Sequence, residues 1–224
     1  MLNDTNLKDY VISIGCNYNG SLSGCINDSI LMYNTFSKMN KKCYLLNDKS
    51  NIITSEKIKE IAKEIHNLPK SSKYRIIFTF AGHGYSGGKI QLSNEIISYN
   101  ELYEILNYES KELFQLIIIL DSCYSGGFVN LKSYKNIFDI SVITSCNSSQ
   151  KSSESLSDKL INKVGILEYL KINNCYYIGV FTYNFIDIID NLLNLNKEIT
   201  FDNIFSEKIW SIISYIANQT YQIK

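Results

Sequence analysis

Leu113-Phe114-Gln115-Leu116-Ile117-Ile118-Ile119-Leu120, followed at once by Asp121-Ser122-Cys123-Tyr124-Ser125-Gly126-Gly127, carries the pattern that sets the fold class. The first stretch is strand-sized and almost continuously apolar; the second is small and polar. A strand that is apolar on successive residues is buried on both faces, as happens when helices cover both sides of a mainly parallel sheet. The same event occurs upstream, where residues 73–80 run into Ala81-Gly82-His83-Gly84. Further out, strand-like segments at 10–16, 42–46 and 141–144 alternate with helix-period segments at 27–39, 55–68 and 99–107. Ile58, Ile61, Ala62 and Ile65 fall at helical intervals, with Thr54 or Ser55 as the cap. Segments 89–92 and 95–97 read as a small hairpin. Helices are expected from Tyr177 to about Leu193 and over 201–217, the second with Thr200 or Asp202 near its cap. Residues 147–158, dense in Ser, Lys and Glu, read as a mobile surface loop. The alternation predicts an α/β fold in one domain over 1–224, with its core at about 10–218.

Both polar clusters follow the carboxyl end of a buried strand, where open α/β sheets bind their ligands. Neighbouring strands would therefore present His83 and Cys123 to one crevice. A cysteine attacks as its thiolate, and an adjacent imidazole can take the proton and later give one to a leaving amine. Glycines beside His83 remove bulk and let a peptide approach closely. The backbone N–H groups of Gly84 and Cys123 could face a developing oxyanion, worth about 3 kcal/mol per donor. Alone, a cysteine at a strand end is ordinarily a small core residue, and a histidine among glycines a turn residue. The two clusters together favour chemistry.

Composition narrows the field. Lys plus Arg number 22 and Asp plus Glu number 22, so no net field draws in nucleic acid or an anionic membrane. No run approaches the roughly 20 apolar residues of a membrane span, and Met1 to Thr5 lack the basic and apolar regions of a secretory signal. These features predict a soluble, cytoplasmic protein. No further domain is expected before Tyr10. Six cysteines (16, 25, 43, 123, 146, 175) are expected as free thiols, most of them in the core. With no CxxC pair and only His66 and His83 as imidazoles, no metal site is expected.

The segments Phe80-Ala81-Gly82-His83-Gly84 and Asp121-Ser122-Cys123-Tyr124-Ser125-Gly126 resemble the histidine and cysteine motifs of metacaspases and related caspase-like peptidases. Ile14-Gly15-Cys16-Asn17-Tyr18, Leu22-Ser23-Gly24-Cys25-Ile26-Asn27-Asp28 and Val142-Ile143-Thr144-Ser145-Cys146 agree in order, so the resemblance covers about residues 10 to 218. It implies a caspase-like three-layer α/β/α sandwich with a mainly parallel central sheet and a His83–Cys123 dyad. The family's pocket for Arg or Lys before the cut bond maps onto Cys25, Asp28 and Asp121, with Ala81 where a serine is expected. A carboxylate in a partly desolvated pocket favours a cationic side chain; the bland reading of Asp28 is a helix N-terminal acid offsetting the dipole. The implied partners are protein or peptide substrates with basic residues.

Metacaspases commonly bind activating calcium through acids after the histidine motif, whereas residues 85–100 hold only Glu95, with Tyr99 and Asn100 in place of an acidic pair. No cofactor and no calcium requirement are therefore expected. Lys132 and Lys135 lie in too short a join to reach their own active site, so activity without an obligatory internal cut is expected, with Lys151 and Lys159 as further targets between molecules. Gly84-Tyr85-Ser86-Gly87-Gly88 matches the GxSxG pattern of serine hydrolases, but no histidine follows Ser86. A P-loop fails because position 83 is His and Ile90 replaces Ser or Thr. The remaining alternative is a caspase-like scaffold that binds without turnover.

Overall fold

The computed structural model describes residues 8–39, 41–68, 73–107, 113–133, 139–156, 177–195 and 222–223. In chain order the elements are β1 (Lys8–Gly15), α1 (Cys25–Lys38), β2 (Lys42–Asn47), α2 (Ser55–Asn67), β3 (Tyr74–Ala81), β4 (Gly84–Tyr85), β5 (Lys89–Gln91), β6 (Ile96–Ser98), α3 (Tyr99–Leu106), β7 (Leu113–Asp121), β8 (Asp139–Thr144), β9 (Glu154–Leu156), β10 (Tyr177–Gly179), α4 (Val180–Asn194) and β11 (Gln222–Ile223). The main sheet has the order β11-β8-β7-β3-β1-β2. Its five long strands are parallel, and β11 pairs antiparallel with β8.

Side-chain alternation explains why these strands are apolar at successive residues. Ile12, Ile14, Ile76, Phe78, Ile118 and Leu120 point to a core shared with α2 and α3, and Val11, Ile77, Ile117 and Ile119 to a core shared with α1 and α4. Every residue of β3 is buried. The result is the expected three-layer α/β/α sandwich. Thr54 caps α2 by accepting the Lys57 N–H at 3.3 Å. The expected hairpin is β5–β6, extended by β4 into a small antiparallel sheet. The expected helix from Tyr177 starts later, because Tyr177–Gly179 pairs with β9 before the chain turns helical at Val180. The expected helix at 201–217 lies outside the described residues.

At the amino-terminal end of the sheet, three adjacent strands carry polar side chains into the core. Arg75 donates to both carboxylate oxygens of Asp9, through Nε and Nη2, each at 2.8 Å, and reaches Gln115 at 3.2 Å. Arg75 and Asp9 side chains are fully enclosed, and Lys41 also meets Asp9, at 2.6 Å. Removing one member of a buried ion pair costs about 3–5 kcal/mol where the other charge is stranded, and Lys41 still meets Asp9 here, so the lower end, about 3 kcal/mol, applies. Arg75→Met is therefore expected to lower unfolding free energy by about that amount, read as a lower denaturation midpoint with an unchanged slope.

Candidate active site

The strand order supplies the crevice. From β1 the chain goes outward to the edge strand β2, then returns to β3 on the other side of β1, so a topological switch point lies between β1 and β3. The loop after β3 carries His83 and that after β7 carries Cys123, and the two residues line one cleft. Gly84 stands directly behind Cys123: a Cβ at Gly84 would lie 2.0 Å from the Cys123 carbonyl oxygen, so only glycine lets the two loops meet.

His83 Nε2 is 2.9 Å from Ser21 Oγ, and the ring stacks on Tyr18 with centroids 4.5 Å apart and planes 18° apart. Nδ1 makes no hydrogen bond among the described residues. Partial burial keeps His83 below the ordinary imidazole value, with Glu154 pulling the other way, so the ring is neutral at neutral pH. The Cys123 thiol donates to the Ser152 carbonyl at 3.9 Å. Burial pushes it above the ordinary thiol value, and the Ser152 contact and Lys151 offset only part of that. Both shifts favour the uncharged forms, thiol and imidazole. The three non-glycine residues with left-handed backbone among those described are Tyr18 (φ 50), which stacks on His83, its chain neighbour Asn19 (φ 55), and Tyr124 (φ 56), which follows Cys123 in the chain. Each such residue costs about 1–3 kcal/mol, and strain of this kind collects at functional sites.

Beyond Cys123 the cleft continues into an acidic pocket. Asp28 and Asp121 are 2% and 8% exposed. Asp28 accepts the Gly179 N–H at 2.9 Å, and Asp121 accepts the Thr182 N–H, the Thr182 hydroxyl and the Ser152 hydroxyl at 3.1, 2.8 and 2.6 Å. Both crowd Gly179, whose added Cβ would lie 2.2 Å from Asp121 and 2.9 Å from Asp28. Burial raises both carboxyls above their usual range, and for Asp28 the nearby Asp121 adds to it. Asp28 lies in the first turn of α1, yet its burial against another acid goes beyond dipole compensation.

Glu154 completes the pocket, and it corrects the reading of 147–158 as a mobile surface loop. Its carboxylate accepts the N–H groups of Ser23 and Gly24 at 3.3 and 3.0 Å and the Cys25 thiol at 3.4 Å. Residues 154–156 form β9, paired with β10, and the amino terminus of α1 offers donors that the Glu154 carboxylate satisfies. Cys25, Asp28, Asp121 and Glu154 therefore line the same cleft as His83 and Cys123. Ala81 lines a small void beside Asp28 and Asp121. Among the described residues no group of three or more His, Cys, Asp or Glu is arranged to hold a metal ion. Cys16, Cys25, Cys43, Cys123 and Cys146 are free thiols, and no described helix is long and apolar enough to cross a membrane.

A family model described as the caspase domain matches residues 8–190. The chain belongs to the caspase-domain peptidase family. The match spans β1 to α4, so in this caspase domain His83, Cys123 and all three acids of the pocket fall inside the family region. The family is one of cysteine peptidases, and the cleft of this caspase domain holds a cysteine and a histidine on adjacent strand ends. A search of curated proteins returned no match.

Proposed function

We propose that the protein is a metacaspase-like cysteine endopeptidase that cuts peptide bonds after Arg or Lys, with Cys123 as nucleophile and His83 as base. The observation that carries this reading is one cleft lined together by Cys123, His83 and the carboxylates Asp28, Asp121 and Glu154. Those acids would receive the guanidinium or ammonium of the residue before the scissile bond, where charge-assisted hydrogen bonds are strongest. With Nε2 engaged on Ser21, Nδ1 accepts the Cys123 proton as sulfur attacks the carbonyl carbon. The imidazolium then protonates the departing amine, leaving a thioester. Water, deprotonated by the same nitrogen, hydrolyses the thioester to a carboxylate and restores the thiol. The N–H groups of Gly84 and Cys123 are the proposed oxyanion donors.

The reading is tested with an Arg-based acylating probe, applied to intact chain in a calcium chelator. The expected result is stoichiometric labelling of Cys123 without any cut in the chain, and far slower labelling by an Asp-based analogue. Absence of labelling would favour the non-catalytic scaffold. Faster labelling by the Asp-based probe would overturn the pocket, and dependence on added calcium would overturn the proposed independence from metal.

A further inference from the structure

We propose that Tyr18 is the positioning residue for His83, fixing the plane of the imidazole with its ring and the height of the His83 backbone with its hydroxyl, on a turn held by Asp48. The proposal rests on the reading of His83 as a base. One hydrogen bond between Nε2 and Ser21 Oγ locates a single atom of the ring and leaves its plane free to turn about that contact. The parallel stack, 4.5 Å and 18°, removes that freedom. The Tyr18 hydroxyl accepts the His83 N–H at 2.9 Å and donates to the Gln91 carbonyl at 2.5 Å, tying the turn after β1 to β5 across the histidine loop. It can reach there only because residue 82 is glycine, since an added Cβ would lie 2.5 Å from the hydroxyl oxygen.

The turn that delivers Tyr18 is built against ordinary backbone preference. Tyr18 and Asn19 are left-handed in succession, followed by Gly20 at φ 94. Asp48 holds them there, one carboxylate oxygen accepting the Asn17 N–H at 2.9 Å and the other the Tyr18 N–H at 2.7 Å. A conformation of this kind persists only where the surroundings impose it. Burial keeps the Tyr18 phenol protonated, so it remains a donor to Gln91 throughout the working pH range.

The test compares wild type with Tyr18→Leu, Tyr18→Phe and Asp48→Ala. It measures kcat and KM on an Arg peptide amide and follows the histidine ring protons by NMR across pH. The chain has two histidines, and His66, bound between Tyr74 and the Leu106 carbonyl, serves as the internal reference for folding. Among the described residues, the titratable groups that stack on His83 or line its cleft are Tyr18 from the turn after β1, Cys25 and Asp28 from α1, Asp121 and Cys123 from the end of β7 and Glu154 from β9.

In Tyr18→Leu, kcat is expected to fall about 10²-fold, the penalty for misplacing a reacting group by about 1 Å, while KM changes little. His83 should lose its upfield ring-current shift, and its titration should move up toward the ordinary imidazole value as water reaches the ring. Tyr18→Phe should keep the ring-current shift and lose part of kcat. Asp48→Ala should reproduce the Leu variant in weaker form. Unchanged kcat and unchanged His83 signals in a folded Tyr18→Leu protein overturn the proposal. If the His66 reference shows that Tyr18→Leu does not fold, wild-type kcat in Tyr18→Phe together with wild-type His83 signals in Asp48→Ala overturns it instead. A wild type without amide hydrolysis would sink the peptidase reading, and the ring signals would still decide whether Tyr18 holds His83.

Discussion

Cys123→Ala and His83→Ala are each expected to lower kcat on an Arg peptide amide by roughly 10⁴- to 10⁶-fold, and the double variant to be no worse than the worse single one. Residues acting as one unit are not additive: once the thiol is gone, the imidazole has no proton to take. Neither change should disturb folding. Among the described residues the Cys123 thiol makes only the long contact to the Ser152 carbonyl, and the His83 ring rests on Tyr18 and Ser21 at the edge of the cleft. Circular dichroism and thermal melts should match wild type while single-turnover kinetics collapse. A well-folded Cys123→Ala protein with near-normal turnover would remove the mechanism, and Ser86 would be examined next.

Asp28→Asn is expected to weaken and stabilise at once. Removing one member of a buried charge pair with substrate costs about 2–5 kcal/mol, so kcat/KM on Arg and Lys peptides should fall about 10²- to 10³-fold. Stability should move in the opposite direction. Asp28 is buried with Asp121 nearby, and both carboxyls lie above their usual range in the folded chain. A carboxyl raised on folding contributes stability that is complete below its unfolded value and is lost as pH rises through its folded value. Asparagine escapes that loss, and its amide can donate toward Asp121. The melting temperature of the variant should therefore exceed wild type by a margin that grows with pH and vanishes in acid. A margin that shrinks with rising pH, or undiminished cleavage after Arg, would show that Asp28 carries no charge into the pocket.

Much of this arrangement is legible in the sequence because its signals are local. The apolar runs at 73–80 and 113–120 declare strands buried on both faces, and a polar residue just beyond such a strand has only the carboxyl-end crevice to enter. Asp28 and Asp121 were assigned by resemblance, and both line the cleft with His83 and Cys123. Glu154 was missed for a physical reason. A segment rich in Ser, Lys and Glu looks solvated wherever it stands, and this carboxylate is held by Ser23, Gly24 and Cys25, donors that only the folded chain brings near. Tyr18 gave no warning either, since left-handed backbone is anticipated at glycine and here falls on Tyr18 and Asn19. Arg75 sat unnoticed inside a strand because its partner, Asp9, comes from a different strand. Gly179 read as helix, whereas it is the floor on which two carboxylates meet.

The acidic pocket draws on α1, the end of β7, and the β9–β10 pair, whereas His83 and Cys123 are both in place by the end of β7. Along the chain the histidine and the cysteine thus precede Glu154 and Gly179. Until β9 and β10 dock, Asp28 lacks the Gly179 N–H and Asp121 lacks its Ser152 and Thr182 donors. The proposed selectivity pocket is therefore the part of the site that is completed last along the chain.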